Sequence, residues 1–312
     1  MIAAHADWST DPRKRWVSIA RRDPGGWQVA APVPVGDPAG LVAALLAEGV
    51  PLAMGLDLPL GVPRGFAEGR AEAGFVEFLR GRAGDRDFFT VAGSLDQVSR
   101  ARPFYPARGV KGMTRAAHAA ALGLGDARGL SRWCDRATAE RPAGAPVFWT
   151  LGANQSGKAA IAAWRDWLAP GLAAGAPYAI WPFAGGLHGL LAAGRAVLAE
   201  VYPAEALRHC GLALRGSKRV QADRRALAGP LLAAMAARRV APSAALRAMA
   251  AEGFGADAAG EDRFDSVIGL LGLVGVLDGA RPDFIPDDPA IRAWEGWVLG
   301  QTTLPQPDPA RG

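Results

Sequence analysis

Cysteine is scarce: Cys134 and Cys210 stand alone, with no Cys-x-x-Cys pair, which excludes a disulfide framework and a thiolate zinc site. Histidine is nearly as sparse, and His5, His118, His188 and His209 are scattered without metal-ligand spacing. No uncharged apolar run reaches the ~18 residues of a membrane span, and the start lacks a basic leader followed by an apolar stretch. Membrane insertion and secretion are not expected, and the cytoplasm is the expected location. No fixed-period repeat is present, which sets solenoids and propellers aside. Nor does one sign of charge dominate: Lys+Arg 35 against Asp+Glu 30 gives +5, compatible with an anionic partner without demonstrating one.

What is present suits a large globular chain. Half of the 312 residues are hydrophobic, and 10 Trp and 11 Phe spread along the length supply core anchors despite Gly 40 and Pro 24. The length predicts a single elaborated domain over 1–312 with an insertion.

Apolar runs at Ile2–Ala6, Trp16–Ala20 and Trp27–Val35, with the turn Asp23-Pro24-Gly25-Gly26, predict three antiparallel strands. Helical spacing over Leu41–Glu48 and a buried strand from Pro51 to Asp57 complete a βββαβ order. From Arg64 to Pro146 short helical stretches are broken by Gly and Pro, which predicts a largely helical insertion or active-site cover. Regular structure is expected to resume with strands at Val147–Thr150, Tyr178–Phe183 and Ala196–Tyr202. Helices are expected at Ala159–Leu168, Leu187–Ala193, Ala204–Cys210, Val220–Arg238, Ser243–Glu252 and Asp262–Leu277. The fold class expected is therefore α/β, a mixed sheet flanked by helices.

Carboxylates recur at the ends of these elements. Asp7 closes the first strand, Asp57 the fourth and Glu200 a later one, while Asp262 and Asp265 open the last strong helix, three apart and on one face. Gathered at one sheet edge they would repel each other unless a cation neutralised them, and Mg²⁺ or Mn²⁺ is the natural partner of an all-oxygen set. Two such ions about 4 Å apart suit phosphodiester hydrolysis. Taken singly, each residue also fits a turn, a cap or a solvated strand end.

The segments Asp57-Leu58-Pro59-Leu60-Gly61-Val62-Pro63, Glu200-Val201-Tyr202-Pro203-Ala204-Glu205, Ser217-Lys218-Arg219 with Arg224-Arg225, and Glu261-Asp262-Arg263-Phe264-Asp265 occur in that order. They resemble, respectively, the Asp-Ile-Pro-Ile-Gly-Leu-Pro, Glu-x-His-Pro-Glu, Lys-Lys and Asp-Asp-x-x-Asp-Ala motifs of the predicted nucleases catalogued as domain of unknown function 429. That resemblance spans nearly the whole chain. It implies a ribonuclease-H-like sheet built on the βββαβ core and a carboxylate-bound metal site.

Between Arg208 and Arg247 the chain carries nine basic residues against Asp223 alone, the cations a nucleic-acid substrate requires. Lys218 and Arg219, beyond the Gly216-Ser217 turn, are expected to steady the phosphate, with Arg224 nearby. Gly152-Ala153-Asn154-Gln155-Ser156-Gly157-Lys158 matches the opening of a phosphate loop, then fails at Ala159, where a Mg²⁺-holding hydroxyl is required. A nucleotide hydrolase is thus a lesser reading, and Lys158 is expected at most to contact phosphate. His5, two residues before Asp7, shares its strand face; a packed imidazole is the commoner outcome. Trp133, Trp149, Trp164 and Trp181 are expected in the core.

The expectation is a metal-dependent nuclease in which Asp7, Asp57, Glu200, Asp262 and Asp265 hold Mg²⁺ or Mn²⁺. A noncatalytic nucleic-acid or protein-binding module on the same scaffold is the alternative.

Overall fold

A computed structural model describes residues 1–152 and 156–306 and divides the chain into two compact units. The first comprises Met1–Leu58, Pro177–Phe284 and Val298–Gly300; the second comprises Pro59–Ala176, Ile285–Trp297 and the residues from Gln301 onward.

The first unit contains a mixed sheet of eight strands: β1 Ile2–Asp7, β2 Trp16–Asp23, β3 Gly26–Val29, β4 Val33–Pro34, β5 Leu52–Leu56, β6 Tyr178–Ile180, β7 Ala196–Glu200 and β8 Val240–Pro242. Their order is β6-β7-β5-β1-β2-β3-β8, with β4 also on β2. Strands β1, β5, β7 and β6 run parallel, so their carboxyl ends share one edge, while β2 is antiparallel to β1 and to β3.

Local chemistry explains the pairing. The β2–β3 hairpin turns over Pro24-Gly25, with Asp23 Oδ1 accepting from the Gly25 N–H at 2.7 Å and Gly26 at φ 136°. The single third strand expected over Trp27–Val35 is divided: β3 ends at Val29 opposite Ala20, and β4 resumes with Val33 opposite Val17. Residues 30–32 thus face only residues 18–19, and Pro32, lacking an N–H, interrupts the ladder. β5 is wholly buried and apolar, as suits a central parallel strand.

The helix Gly260–Leu277 packs across β1, β2 and β5. Glycines let it come close: a Cβ on Gly269 would overlap the His5 ring, and one on Gly272 would press on Ala206 in the helix Pro203–His209. Ser18 of β2 and Ser266 of the long helix meet at 2.8 Å in the same layer.

The second unit holds short helices, Arg64–Ala67, Phe75–Arg80, Arg115–Ala121, Ser156–Ala163 and Ala169–Ala173, among turns. Edge-to-face contacts form its core: Phe78 to Phe88 at 5.4 Å, Phe88 to Phe104 at 5.7 Å and Phe104 to Phe148 at 5.3 Å between centroids. The strand expected at Val147–Thr150 is instead a turn with one bridge, Trp149 to Tyr105. Among the described residues no helix is long and apolar enough to cross a membrane.

Candidate active site

The sheet register builds the site. Ala6 pairs with Leu56 on adjacent parallel strands, and the Asp57 N–H donates to the Ala6 carbonyl at 3.1 Å, so Asp7 and Asp57 lie side by side one step further along. Their carboxyl groups act on each other electrostatically. Strand alternation gives Asp7 the face of His5 and Asp57 the face of Gly55, the side covered by the long helix.

That helix supplies the other carboxylates from its first two turns. Asp265 is buried, and Asp262, one turn earlier, has a buried Oδ2 with no hydrogen-bond partner among the described residues. Glu261, beside them, lies closer to solvent.

Glu200 joins this group from a different direction. It pairs with Leu56, one step before Asp57, so alternation turns its side chain to the opposite face of the sheet. It is fully buried there, and its charge still reaches Asp57.

Lys218 is the cation of the cluster. Its ammonium is ion-paired with Asp265 and lies 3.4 Å from Glu261 Oε1. Arg224 fixes the loop that carries it. Expected to contact substrate, Arg224 is buried, donating through Nη1 to the Lys218 carbonyl, through Nε to Gly253 O at 2.8 Å and through Nη2 to Gly255 O at 2.7 Å. Asp223 completes the loop by accepting from the Ser217 N–H at 2.8 Å. Arg219 is exposed, 3.7 Å from Glu261 Oε2.

The electrostatics follow from burying like charges. Burial first, then the charges of Asp265, Asp57 and Asp262, push the Asp7 carboxyl well above the ordinary carboxylate range. Burial lifts Asp57 to about 7, with Lys218 opposing and Asp265 and Glu200 adding to the rise. Asp262 is raised to about 6 by burial and by Glu261, and burial raises Asp265 against the pull of Lys218. Burial disfavours the Lys218 ammonium, but Asp265, Asp57 and Glu261 outweigh it and hold it above its usual range.

These observations bear on whether a hard cation suits the site. The donors are carboxylate oxygens, Asp262 Oδ2 lacks a partner among the described residues, and one ammonium faces several carboxyl groups whose ionisation is suppressed by burial first and by one another second. Among the described residues no three His, Cys, Asp or Glu side chains form a group that could hold a metal ion as they stand. Mg²⁺ commonly takes only one or two protein carboxylates, with waters and substrate phosphates completing its shell, and the Asp7–Asp57 pair meets that requirement.

The structure thus brings Asp7, Asp57, Asp262, Asp265 and Lys218 to one face, with Glu200 beneath and Arg219 at the rim. Lys158 lies in the helix Ser156–Ala163 of the other unit, and Ala153 to Gln155 of the expected phosphate loop fall outside the described residues. His5 is a packed imidazole: its Nε2 lies 3.2 Å from Val201 O, and burial lowers it to about 4. Trp149, Trp164 and Trp181 are buried, as expected of core residues. Glu261 was not singled out as a site residue, although its position beside Asp262 at the helix start was legible. Comparison with family models, with curated proteins and with solved structures finds no match to this chain.

Proposed function

We propose that this protein is a metal-dependent phosphodiesterase acting on nucleic acid, on a ribonuclease-H-like sheet. The observation that carries the reading is the side-by-side pair Asp7–Asp57 at adjacent parallel strand ends, with Asp265 and Lys218 acting on both. Three antiparallel strands, a helix and a strand parallel to the first match the βββαβ order that the resemblance to the domain of unknown function 429 nucleases implies.

Asp7 and Asp57 would hold Mg²⁺ or Mn²⁺, with Asp262 and Asp265 able to contribute from the helix. When bound, such a cation supplies Lewis-acid activation of phosphate and water. The chain's own groups do the rest. Asp7 and Asp57 give up the proton that burial favours on the pair, Lys218 offers positive charge to the phosphate, and Glu261 sets the position of Lys218 and Arg219.

Cleavage assays over a Mn²⁺ titration, on single- and double-stranded DNA and RNA, test this. Cation-dependent cleavage is expected from the parent, falling at least ~100-fold in Asp7→Asn/Asp57→Asn. Equal cleavage by both proteins would end the proposal.

A second reading, a noncatalytic nucleic-acid-binding module, is favoured by the ion pairs of Lys218 with Asp265 and Glu261, which give the site a cation of its own. Salt-sensitive binding by both proteins with cleavage by neither would support it.

A further inference from the structure

In the second unit, three guanidinium groups line one shallow pocket of about 390 Å³. They belong to Arg70, Arg82 and Arg100; Glu72 is the acidic residue of the lining, and the remaining walls are the small residues Gly69, Ala71 and Ala101, which leave the space unfilled.

Each arginine is anchored while one nitrogen is left over. Arg70 donates through Nε to Phe66 O at 3.1 Å and through Nη2 to Arg100 O at 3.4 Å, leaving Nη1 without a partner among the described residues. Arg100 grips the carbonyls of Gly65, Phe66 and Glu68 through its two terminal nitrogens, leaving Nε. Arg82 pairs with Asp85 at 2.9 Å and with Glu72 at 3.5 Å, and its Nε is buried with no partner.

Neither Arg70 nor Arg100 has an ion-pair partner among the described residues, although guanidinium groups this close repel one another. The planes are held in place by rings: Arg70 lies 4.3 Å over Phe66 and 4.6 Å over Phe78, and Arg82 lies 5.1 Å over Phe78. Burial, against the pull of Glu72 and with Arg82 and Arg100 as like-charged neighbours, holds Arg70 below its ordinary range, although it stays protonated at neutral pH. Pre-positioned, under-paired arginines beside open volume are the arrangement that recognises oxyanions.

We infer that this pocket binds a phosphate monoester of mononucleotide size. Set against Glu72 and the Asp85 carboxylate on Arg82, the three arginines leave a surplus of one positive charge, carried by Arg70 and Arg100, and a phosphate monoester at roughly −2 is drawn to it more strongly than a singly charged diester. The volume lies within the ~300–1,000 Å³ typical of small-molecule sites. The inference does not depend on the nuclease reading.

Calorimetric titration in chelator-containing buffer tests it, with a 5′-mononucleotide, inorganic phosphate, the matching nucleoside and an oligonucleotide lacking terminal phosphate as probes. Saturable binding of the mononucleotide is expected, weaker binding of phosphate and none of the nucleoside. Arg70→Gln should weaken mononucleotide binding at least about fivefold, and Glu72→Gln, which removes the competing carboxylate, should tighten it. Absence of mononucleotide binding, binding of the oligonucleotide alone, or affinity unchanged in both variants would overturn the inference. Loss of binding in Lys218→Met with retention in Arg70→Gln would also overturn it, assigning the ligand to the carboxylate site. If Arg70→Gln fails to fold, Glu72→Gln decides alone: unchanged affinity counts against the pocket.

Discussion

Asp7 and Asp57 lie side by side at the ends of neighbouring parallel strands, where burial, with the charges of the carboxylates around them, disfavours ionising both. Burial and like charge therefore favour a proton on this pair when no cation is bound. A cation entering there must displace it, which couples metal affinity to pH.

Stability without metal should accordingly fall as pH rises. Asp57 titrates near 7 in the folded protein against 3.8 as its ordinary value, and Asp262 near 6, so the native state binds more protons than the unfolded chain between those limits. The contribution of these groups is full at the acid end and is lost through about pH 4 to 7. Urea unfolding across this range, with and without saturating Mg²⁺, checks the slope; the cation should flatten or reverse it.

Asp57→Asn should stabilise the metal-free protein by about 1–2 kcal/mol at mildly alkaline pH, because it removes a buried charge that the site disfavours. The same variant should lose the stabilisation that Mg²⁺ gives the parent. Paired denaturation curves separate this from ordinary damage, which would lower stability in both conditions.

Lys218→Met should have the opposite sign. The ammonium faces Asp265, Glu261 and Asp57 but is partly open to solvent, so its removal should cost about 1 kcal/mol without metal. Thermal melts should show Mg²⁺ recovering much of that loss.

Two glycines of the long helix should respond in opposite directions. Gly269→Ala drives a methyl into the His5 ring and should destabilise by about 2–3 kcal/mol. Gly275→Ala meets nothing within 4 Å and should stabilise by about 0.5–1 kcal/mol through helix propensity. Chemical denaturation of both variants gives the comparison.

In the second unit, His118 is buried with Nε2 2.7 Å from Pro103 O, and burial lowers it to about 4 from 6.5. The unfolded chain therefore binds the extra proton between those values, and this unit should lose stability as pH falls through about 6.5 to 4. Faster amide exchange over residues 103–122 on acidification, corrected for intrinsic rates, would register it.

The catalytic candidates were legible in the sequence because carboxylates closing apolar strand runs are a one-dimensional pattern: Asp7, Asp57 and the Asp262–Asp265 pair needed only periodicity to be placed. The direction of Glu200 was not, since it depends on a register offset of one residue between β5 and β7. Arg224 was expected to contact substrate, and only the carbonyls of Lys218, Gly253 and Gly255 converging on it reveal a loop anchor. β8 escaped notice because three residues carry no period, and its pairing with β3 is set by tertiary contact. Arg64–Pro146 was scarcely legible, because its order comes from rings far apart in the chain, such as Phe66 against Phe148, 4.6 Å between centroids.

Mn²⁺ binding followed by electron paramagnetic resonance, on the parent, Asp7→Asn and Asp57→Asn, goes to the centre of the matter. Saturable binding by the parent that weakens as pH drops below about 7, and at least ~10-fold weaker binding in each variant, is the expected result. Binding that is unaltered by either substitution, or indifferent to pH across that range, would contradict a cation held between these two strand ends.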